Sequence, residues 1–276
     1  MDKENHKNQL LLSTMQYPKV SIVILNFNTK DLLQQLIPFV LKTNYPDFEV
    51  VVADNASNDG SLEMVQQQFP DLRCIALPLN HGYAGGYNEA LKQLNTAYWV
   101  LLNSDVEVDP DWLLPMMDKM LSSDKVAAVQ PKLLSYHERS SFEYAGASGG
   151  MIDQYGYPFC RGRVFDVLEQ DNGQYDKAVP VFWASGAALL VRGKVYSDLH
   201  GLDQDFFAHM EEIDLCWRMQ NAGYEVWVAP SAKVYHIGGG TLDAQSERKL
   251  FLNFRNNLVL IAKNMPKRVA LKTLFV

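Results

Sequence analysis

Acidic and histidine side chains at the ends of apolar runs carry the first chemical signal in this sequence. Asp105 closes the run Tyr98-Trp99-Val100-Leu101-Leu102 by way of Asn103 and Ser104. A carboxylate at a strand end among small polar residues suits a divalent cation that also takes diphosphate oxygens. It equally suits a turn or helix N-cap ahead of Asp109-Pro110-Asp111. His236 precedes Ile237 and the glycines Gly238, Gly239 and Gly240. An imidazole there could complete a mixed oxygen and nitrogen site for manganese or magnesium, although a lone histidine is more often structural. Glu211, Glu212 and Asp214 cluster at the start of a predicted helix. They complement the helix dipole, and one of them could serve as general base for a hydroxyl. Asp214 and Arg218 stand at i, i+4 spacing and read as a brace along that helix. The stretch from Asn80 to Asn88 is rich in glycine and precedes a helix, so its backbone N–H groups could hold phosphates. Neither GxGxxG nor GxxxxGK[ST] occurs, which removes the usual support for dinucleotide binding or P-loop hydrolysis.

The elements that must position these groups follow from hydropathy. Residues 20–25 form a short β-branched run, and a helical stretch from Asp31 ends before Tyr45-Pro46. Residues 49–53 read as a second strand, 61–69 as a helix stopped by Pro70, and 73–77 as a third strand. A glycine-containing turn, a helix over 88–94 and a fourth strand over 98–102 follow. The alternation predicts an α/β fold, a mostly parallel sheet with helices on both faces. Ligands of such sheets bind beyond the carboxyl ends of the strands. Those ends carry Asn26-Phe27-Asn28, Asp54-Asn55-Ala56-Ser57, Asn80-His81-Gly82 and Asn103-Ser104-Asp105. Each alone is ordinary loop material; all on one predicted edge favour a site. Further on, 140–174 reads as a long excursion and 179–191 resumes core character. A helix over 211–220 closes at Asn221-Ala222-Gly223, and a strand over 225–228 ends at Pro230.

The formal net charge of −7 over 276 residues argues against a nucleic-acid binder. Cys74, Cys160 and Cys216 form no CxxC pair, so a disulfide framework is not expected and a reducing cytoplasm fits. No run approaches the roughly 20 apolar residues of a membrane span. Charge is unevenly placed. From Arg248 onward come Lys249, Arg255, Lys263, Lys267, Arg268 and Lys272 with no acidic residue, among Leu250, Phe251, Phe254, Leu258, Ile261, Leu271 and Phe275. Such a segment either lies on an anionic membrane surface or packs on the domain with a solvated basic face. The expected organisation is a flexible arm over 1–18, one domain over 19–246, and a basic amphipathic helical segment over 247–276 that continues in the natural protein.

Six segments in order resemble family 2 glycosyltransferases of the GT-A fold, in particular the rhamnosyltransferase-like branch acting on bacterial surface polysaccharides. They are VSIVILNFN, VVVADNASNDGS, NHGYAGGYNEAL, WVLLNSDVEV, EEIDLCWRMQNAGYEV and VYHIGGG. The resemblance implies a nucleotide-diphospho-sugar transferase sheet and a role for each matching position. Asp54 would recognise the nucleobase or ribose with the loop around Asn26 and Asn28, and Asn80, Gly82, Gly86 and Asn88 would line the donor pocket. Asn103-Ser104-Asp105 stands in the place of the DxD metal motif, with Asp105 as a ligand of Mn2+ or Mg2+ and His236 as the second. Glu212 stands where the family often has the Asp of a Glu-Asp pair, the catalytic base, with Glu211 as the alternative. Trp183, Ser185 and Gly186 would border the acceptor, with a core tryptophan as the alternative reading of Trp183. Asn at 103 and Glu at 212 depart from the family pattern but keep oxygen-bearing side chains.

The implied reaction is inverting transfer from a dTDP-, UDP- or GDP-linked sugar to a glycan or lipid-linked glycan at the inner face of the cytoplasmic membrane. One rival, a sugar-phosphate nucleotidyltransferase, would carry a glycine- and lysine-containing phosphate loop after the first strand, unlike Asn26-Phe27-Asn28-Thr29. The other is a non-catalytic sugar-nucleotide-binding protein.

Overall fold

The computed structural model describes residues 17–165, 167–238 and 247–274. Nearly all of the expected N-terminal arm, together with Gly239, Gly240 and Phe275, lies outside the described residues, as do the side chains of Arg248 and Lys249. In the first half, β1 (Val20–Asn26), β2 (Phe48–Asp54), β3 (Arg73–Ala76) and β4 (Tyr98–Asn103) pair in parallel in the order β3-β2-β1-β4. Their side chains alternate between two cores. Ile22, Ile24, Val50 and Val52 face α1 (Lys30–Val40) and α2 (Ser61–Gln68), packing with Leu33, Ile37 and Met64. Val23, Val51 and Ala53 face α3 (Gly82–Leu91), packing with Tyr87 and Leu91. A sheet buried on both faces explains the unbroken apolar runs, each such side chain contributing about 1.5–3 kcal/mol. The parallel register sets Asn26 beside Asp54 and Leu25 beside Asn103, so the polar strand ends share one edge.

The glycine-rich segment differs from expectation. It is not a turn before the helix but the first turns of α3, which starts at Gly82. Only Gly82 needs its glycine for a left-handed backbone, φ +70°. At Gly86 the reason is packing: an added Cβ would stand 2.8 Å from Leu25 Cδ1 of β1.

The second half is mixed. Along the chain come β5 (Val106–Val108), α4 (Leu113–Leu121), β6 (Val126–Ser135), the small pairs β7 (Gly150–Ile152) with β8 (Pro158–Cys160) and β9 (Arg163–Val164) with β10 (Val167–Leu168), then β11 (Val179–Val181) and β12 (Ala188–Arg192). They are followed by α5 (Gly193–Asp198), a short 3-10 turn (Gln204–Phe206), α6 (Glu211–Asn221), β13 (Glu225–His236), α7 (Glu247–Asn264) and α8 (Lys267–Leu274). β12 runs antiparallel between β4 and β6, and β13 pairs in parallel with β6. The strand expected to end at Pro230 does not end there. β13 continues to His236 through a shift of register between Ala229 and Lys233, where a bulge absorbs the proline. Carried past that bulge, β13 pairs antiparallel with β5 and places His236 opposite Val106, one residue from Asp105.

Candidate active site

The edge formed by β1, β2 and the start of α3 is a closed hydrogen-bond network. Asn26, fully buried, donates from Nδ2 to Asp54 Oδ1 (2.7 Å), Ser57 Oγ (2.9 Å) and Ser61 Oγ (2.7 Å). Its Oδ1 accepts from the Thr29 hydroxyl at 2.6 Å. Asp54 Oδ2 accepts from Ser57 N, and Asn28, at φ 56°, accepts from Asn58 N. Asn55 joins this edge to the next: Nδ2 donates to Asn80 Oδ1 and Gly82 O, while Oδ1 accepts from His81 N. Asn88 turns the other way, donating to Leu202 O and accepting from the Tyr196 hydroxyl. A concavity of about 500 Å³ opens beside this edge between Lys30, Ser57, Asn58, Gly60 and Glu63; Asp105, Glu212 and His236 are not in its lining.

At the next strand end, the β5–β13 pairing brings two predicted ligands together. His236 Nε2 lies 3.1 Å from Asp105 Oδ1, and its Nδ1 lies 3.2 Å from Glu143 Oε1. Burial alone would lower the imidazole's pKa, but the two carboxylates outweigh it and raise it to about 10. The ring therefore carries a proton between two acids. Glu143 is held in turn by Ala145 N. Among the described residues no group of three or more His, Cys, Asp or Glu is arranged to hold a metal ion. Asp105 Oδ1 and His236 Nε2 face each other, with Glu143 beside the other ring nitrogen, so a cation bound between them would take the place of the Nε2 proton. That donor set fits a divalent cation whose other positions go to phosphate oxygens and water. Asn103, whose N–H bonds Ala187 O, ties this strand end to the loop carrying Gly186.

The acids of α6 sit under different physics. Phe207, His209 and Met210, ahead of the helix, all have left-handed φ of 65°, 69° and 75°. For non-glycine residues this costs on the order of 1–3 kcal/mol each. Helix α6 starts there with no side-chain cap. Glu211 is buried and its Oε2 has no hydrogen-bond partner among the described residues; burial first, and then the charge of Glu212, hold its carboxyl well above the usual range. Glu212 is partly exposed, and desolvation raises its carboxyl to about 6. Gly186 packs against it: an added Cβ would stand 3.7 Å from Glu212 Cβ and 2.6 Å from the Tyr83 hydroxyl, which donates to Gly186 O. Trp183 is 6% exposed, with its indole N–H on Met151 O and its ring over Gly150, so it packs in the core rather than lining this cleft.

The structure thus brings together Asp105 with His236, Glu212 with Gly186, and Asn26 with Asp54. Glu143, Tyr83 and Asn55 belong to the same neighbourhoods and were not singled out in the sequence. Asn55 had a signal, being next to Asp54; Glu143 lies within Phe142-Glu143-Tyr144 of the excursion and had none.

The sequence profile of Glycosyl transferase family 2 matches residues 21–173, and that of Glycosyl transferase family group 2 matches 98–268. An N-acetylglucosaminyl-diphospho-decaprenol L-rhamnosyltransferase of Mycobacterium tuberculosis is 29% identical over 203 residues, 68% of this chain and 66% of its own length. An O-antigen biosynthesis protein of Myxococcus xanthus is 29% identical over 226 residues, 79% of this chain and 17% of its own. The chain therefore spans just under two thirds of the first relative and a small part of the second. Among solved structures, GalNAc-T7 with UDP, GalNAc and Mn2+ shares the fold, with a TM-score of 0.70 over 89% of this chain and 48% of that one at 12% identity. The first profile covers more than half of the sequence, and the chain belongs to glycosyl transferase family 2.

Proposed function

We propose that this protein transfers a glycosyl group from a nucleotide-diphosphate sugar to a hydroxyl of a glycan or lipid-linked glycan, with inversion, in cell-surface polysaccharide synthesis. Glu212 carries the reading. It is a partly exposed carboxyl, raised to about 6, at the mouth of a helix entered through strained backbone. Near neutrality such a group takes a proton readily, as a general base must. As the acceptor oxygen bonds the anomeric carbon, the bond to the diphosphate breaks and the hydroxyl proton passes to Glu212. Asp105 and His236 would hold a divalent cation, which supplies positive charge for the departing diphosphate. Asn26 and Asp54 fix the loops on which the nucleoside would rest, with Asn28, Asn80, Gly82, Gly86 and Asn88 shaping that edge and Asn103 joining it to the cation site. Gly186, packed against Tyr83 and Glu212, would border the acceptor. Trp183, a predicted acceptor-side residue, supports that loop from the core.

The mycobacterial relative's name specifies rhamnosyl transfer to a lipid diphosphate, and we read a lipid-linked acceptor here as well. No helix of the described residues is long and apolar enough to cross a membrane. Leu250, Phe251, Phe254 and Leu258 are exposed along α7, and Leu271 with Lys272 along α8, which supports peripheral contact with an anionic membrane at its cytoplasmic face. The test is a panel of dTDP-, UDP- and GDP-sugars offered with a polyprenyl-diphosphate-linked glycan. Release of nucleoside diphosphate with extension of the glycan, lost in Glu212→Gln, supports the assignment. Pyrophosphate release would instead mark a nucleotidyltransferase, and donor binding without turnover a binding protein.

A further inference from the structure

The loop that delivers Glu211 and Glu212 takes a strained shape that its residue types do not favour. Residues 204–210 read Gln-Asp-Phe-Phe-Ala-His-Met, with no glycine, proline or asparagine. Yet Phe207, His209 and Met210 are left-handed, and the Ala208 N–H returns to Phe206 O in the strained form of a three-residue turn. A segment of this composition relaxes unless bonds from outside offset the strain.

Helix α7, some 45 positions further along the chain, supplies a cluster of such bonds. Asn256 is fully buried, and its Nδ2 reaches Phe206 O (3.0 Å), Ala208 O (2.8 Å) and His209 O (2.7 Å). Arg255 donates from one guanidinium nitrogen to Asp205 O (2.6 Å) and Phe206 O (2.9 Å), and from Nε to Asn256 Oδ1 (2.9 Å). About two turns further on, Asn264 and Lys263 bind Asp214 of α6 itself, at 2.8 and 2.9 Å. Apart from an Asn264 bond to Leu260 O within α7, the hydrogen bonds of these four side chains among the described residues go to the segment before α6, to the first turn of α6 or to one another.

We propose that Asn256, with Arg255, is a positioning residue for the transfer reaction. Its buried amide holds the 206–209 carbonyls in their left-handed course and so aims the α6 carboxylates into the cleft. The inference rests on Glu212 as the proton acceptor. It adds a residue outside the strand-end motifs and gives the basic C-terminal helix a task inside the enzyme. The same helix presents Phe251 and Phe254 outward, so its two faces serve different ends.

A neighbouring residue supplies the control. Asn257 is also buried, but its amide donates to Gly156 O (2.8 Å) in the excursion, away from the loop. Full-length Asn256→Ala, Asn257→Ala and Glu212→Gln are compared with wild type, by hydrogen–deuterium exchange and by 13C titration of the carboxyls, neither of which needs substrate. In Asn256→Ala, amides of 205–213 exchange about tenfold faster or more. The Glu212 midpoint falls from about 6 toward 4.5 as water reaches it past Tyr83 and Glu211. Asn257→Ala leaves both at wild-type values. With whichever donor supports turnover, Asn256→Ala lowers kcat by about a hundredfold at unchanged donor KM, the penalty of a misplaced base.

Should Asn256→Ala fail to fold, Arg255→Lys, which keeps the charge but loses the fork, moves exchange and midpoint the same way by less. Wild-type exchange and midpoint in Asn256→Ala, or equal changes in Asn257→Ala, overturn the positioning role. Full turnover in Glu212→Gln would instead sink the base assignment, while the exchange comparison still reports on the loop.

Discussion

Two regions of the molecule handle polarity in opposite ways. On the side of β1 and β2, Asn26, Asp54, Asn55 and Asn80 all spend their side-chain atoms on one another and on nearby backbone. On the side of α6, Glu211 Oε2 has no hydrogen-bond partner among the described residues, burial raises the Glu212 carboxyl to about 6, and three left-handed residues lead in. Satisfied polar groups set the shape of a surface. Unsatisfied, desolvated carboxylates hold chemical potential for a proton, at a cost in stability met elsewhere in the fold. On the proposed reading, the first region holds the donor and the second reacts.

That contrast can be broken by mutation. Glu212→Gln keeps the size of the side chain but cannot accept a proton, and kcat falls by about 10²–10⁴-fold with donor binding intact. A loss confined to KM would move Glu212 to the holding side. Asn26→Ala has the opposite signature. It strands Asp54, Ser57 and Ser61 inside the protein and lowers unfolding free energy by about 2–3 kcal/mol, read from urea denaturation. Unchanged stability would mean that this network is not the scaffold it resembles.

The pH dependence sharpens the same point. A base must be ionised to act, and the folded Glu212 is protonated below about 6. Transfer rates should therefore fall toward a tenfold loss per unit as pH drops below 6 and level off about one unit above it. An acid limb near 4.5, an ordinary glutamate, would argue that Glu212 is not desolvated. The smallest effect is expected at Trp183→Phe, which loses one bond to Met151 O and costs about 1 kcal/mol of stability. Acceptor KM should not move; a severalfold rise would return the indole to the acceptor side.

The first half of the fold was legible because its strands are buried on both faces and spell themselves as β-branched runs with polar ends. The misreadings have tertiary causes. Gly86 looks like a turn residue until Leu25 is seen against it, and Pro230 looks like a strand end until the bulge in β13 is seen. Within the site, Asp105 and His236 could be named from their places at segment ends. Glu143 and Asn256 could not, since their meaning arises from contacts spanning 93 and about 50 residues of chain. The basic tail was half legible: Phe251 and Phe254 face solvent as amphipathicity suggests, but Ile261 is buried, and Arg255 and Lys263 turn inward onto α6 and the segment before it.

The most direct test of the account is thermal unfolding with UDP, dTDP, GDP, CDP or ADP, each with Mn2+, with Mg2+ or with EDTA, in wild type and Asp105→Ala. The account predicts that at least one nucleoside diphosphate raises Tm only when metal is present, and that Asp105→Ala abolishes the rise while still folding. No metal-dependent shift with any of the five, or an undiminished shift in Asp105→Ala, would contradict it.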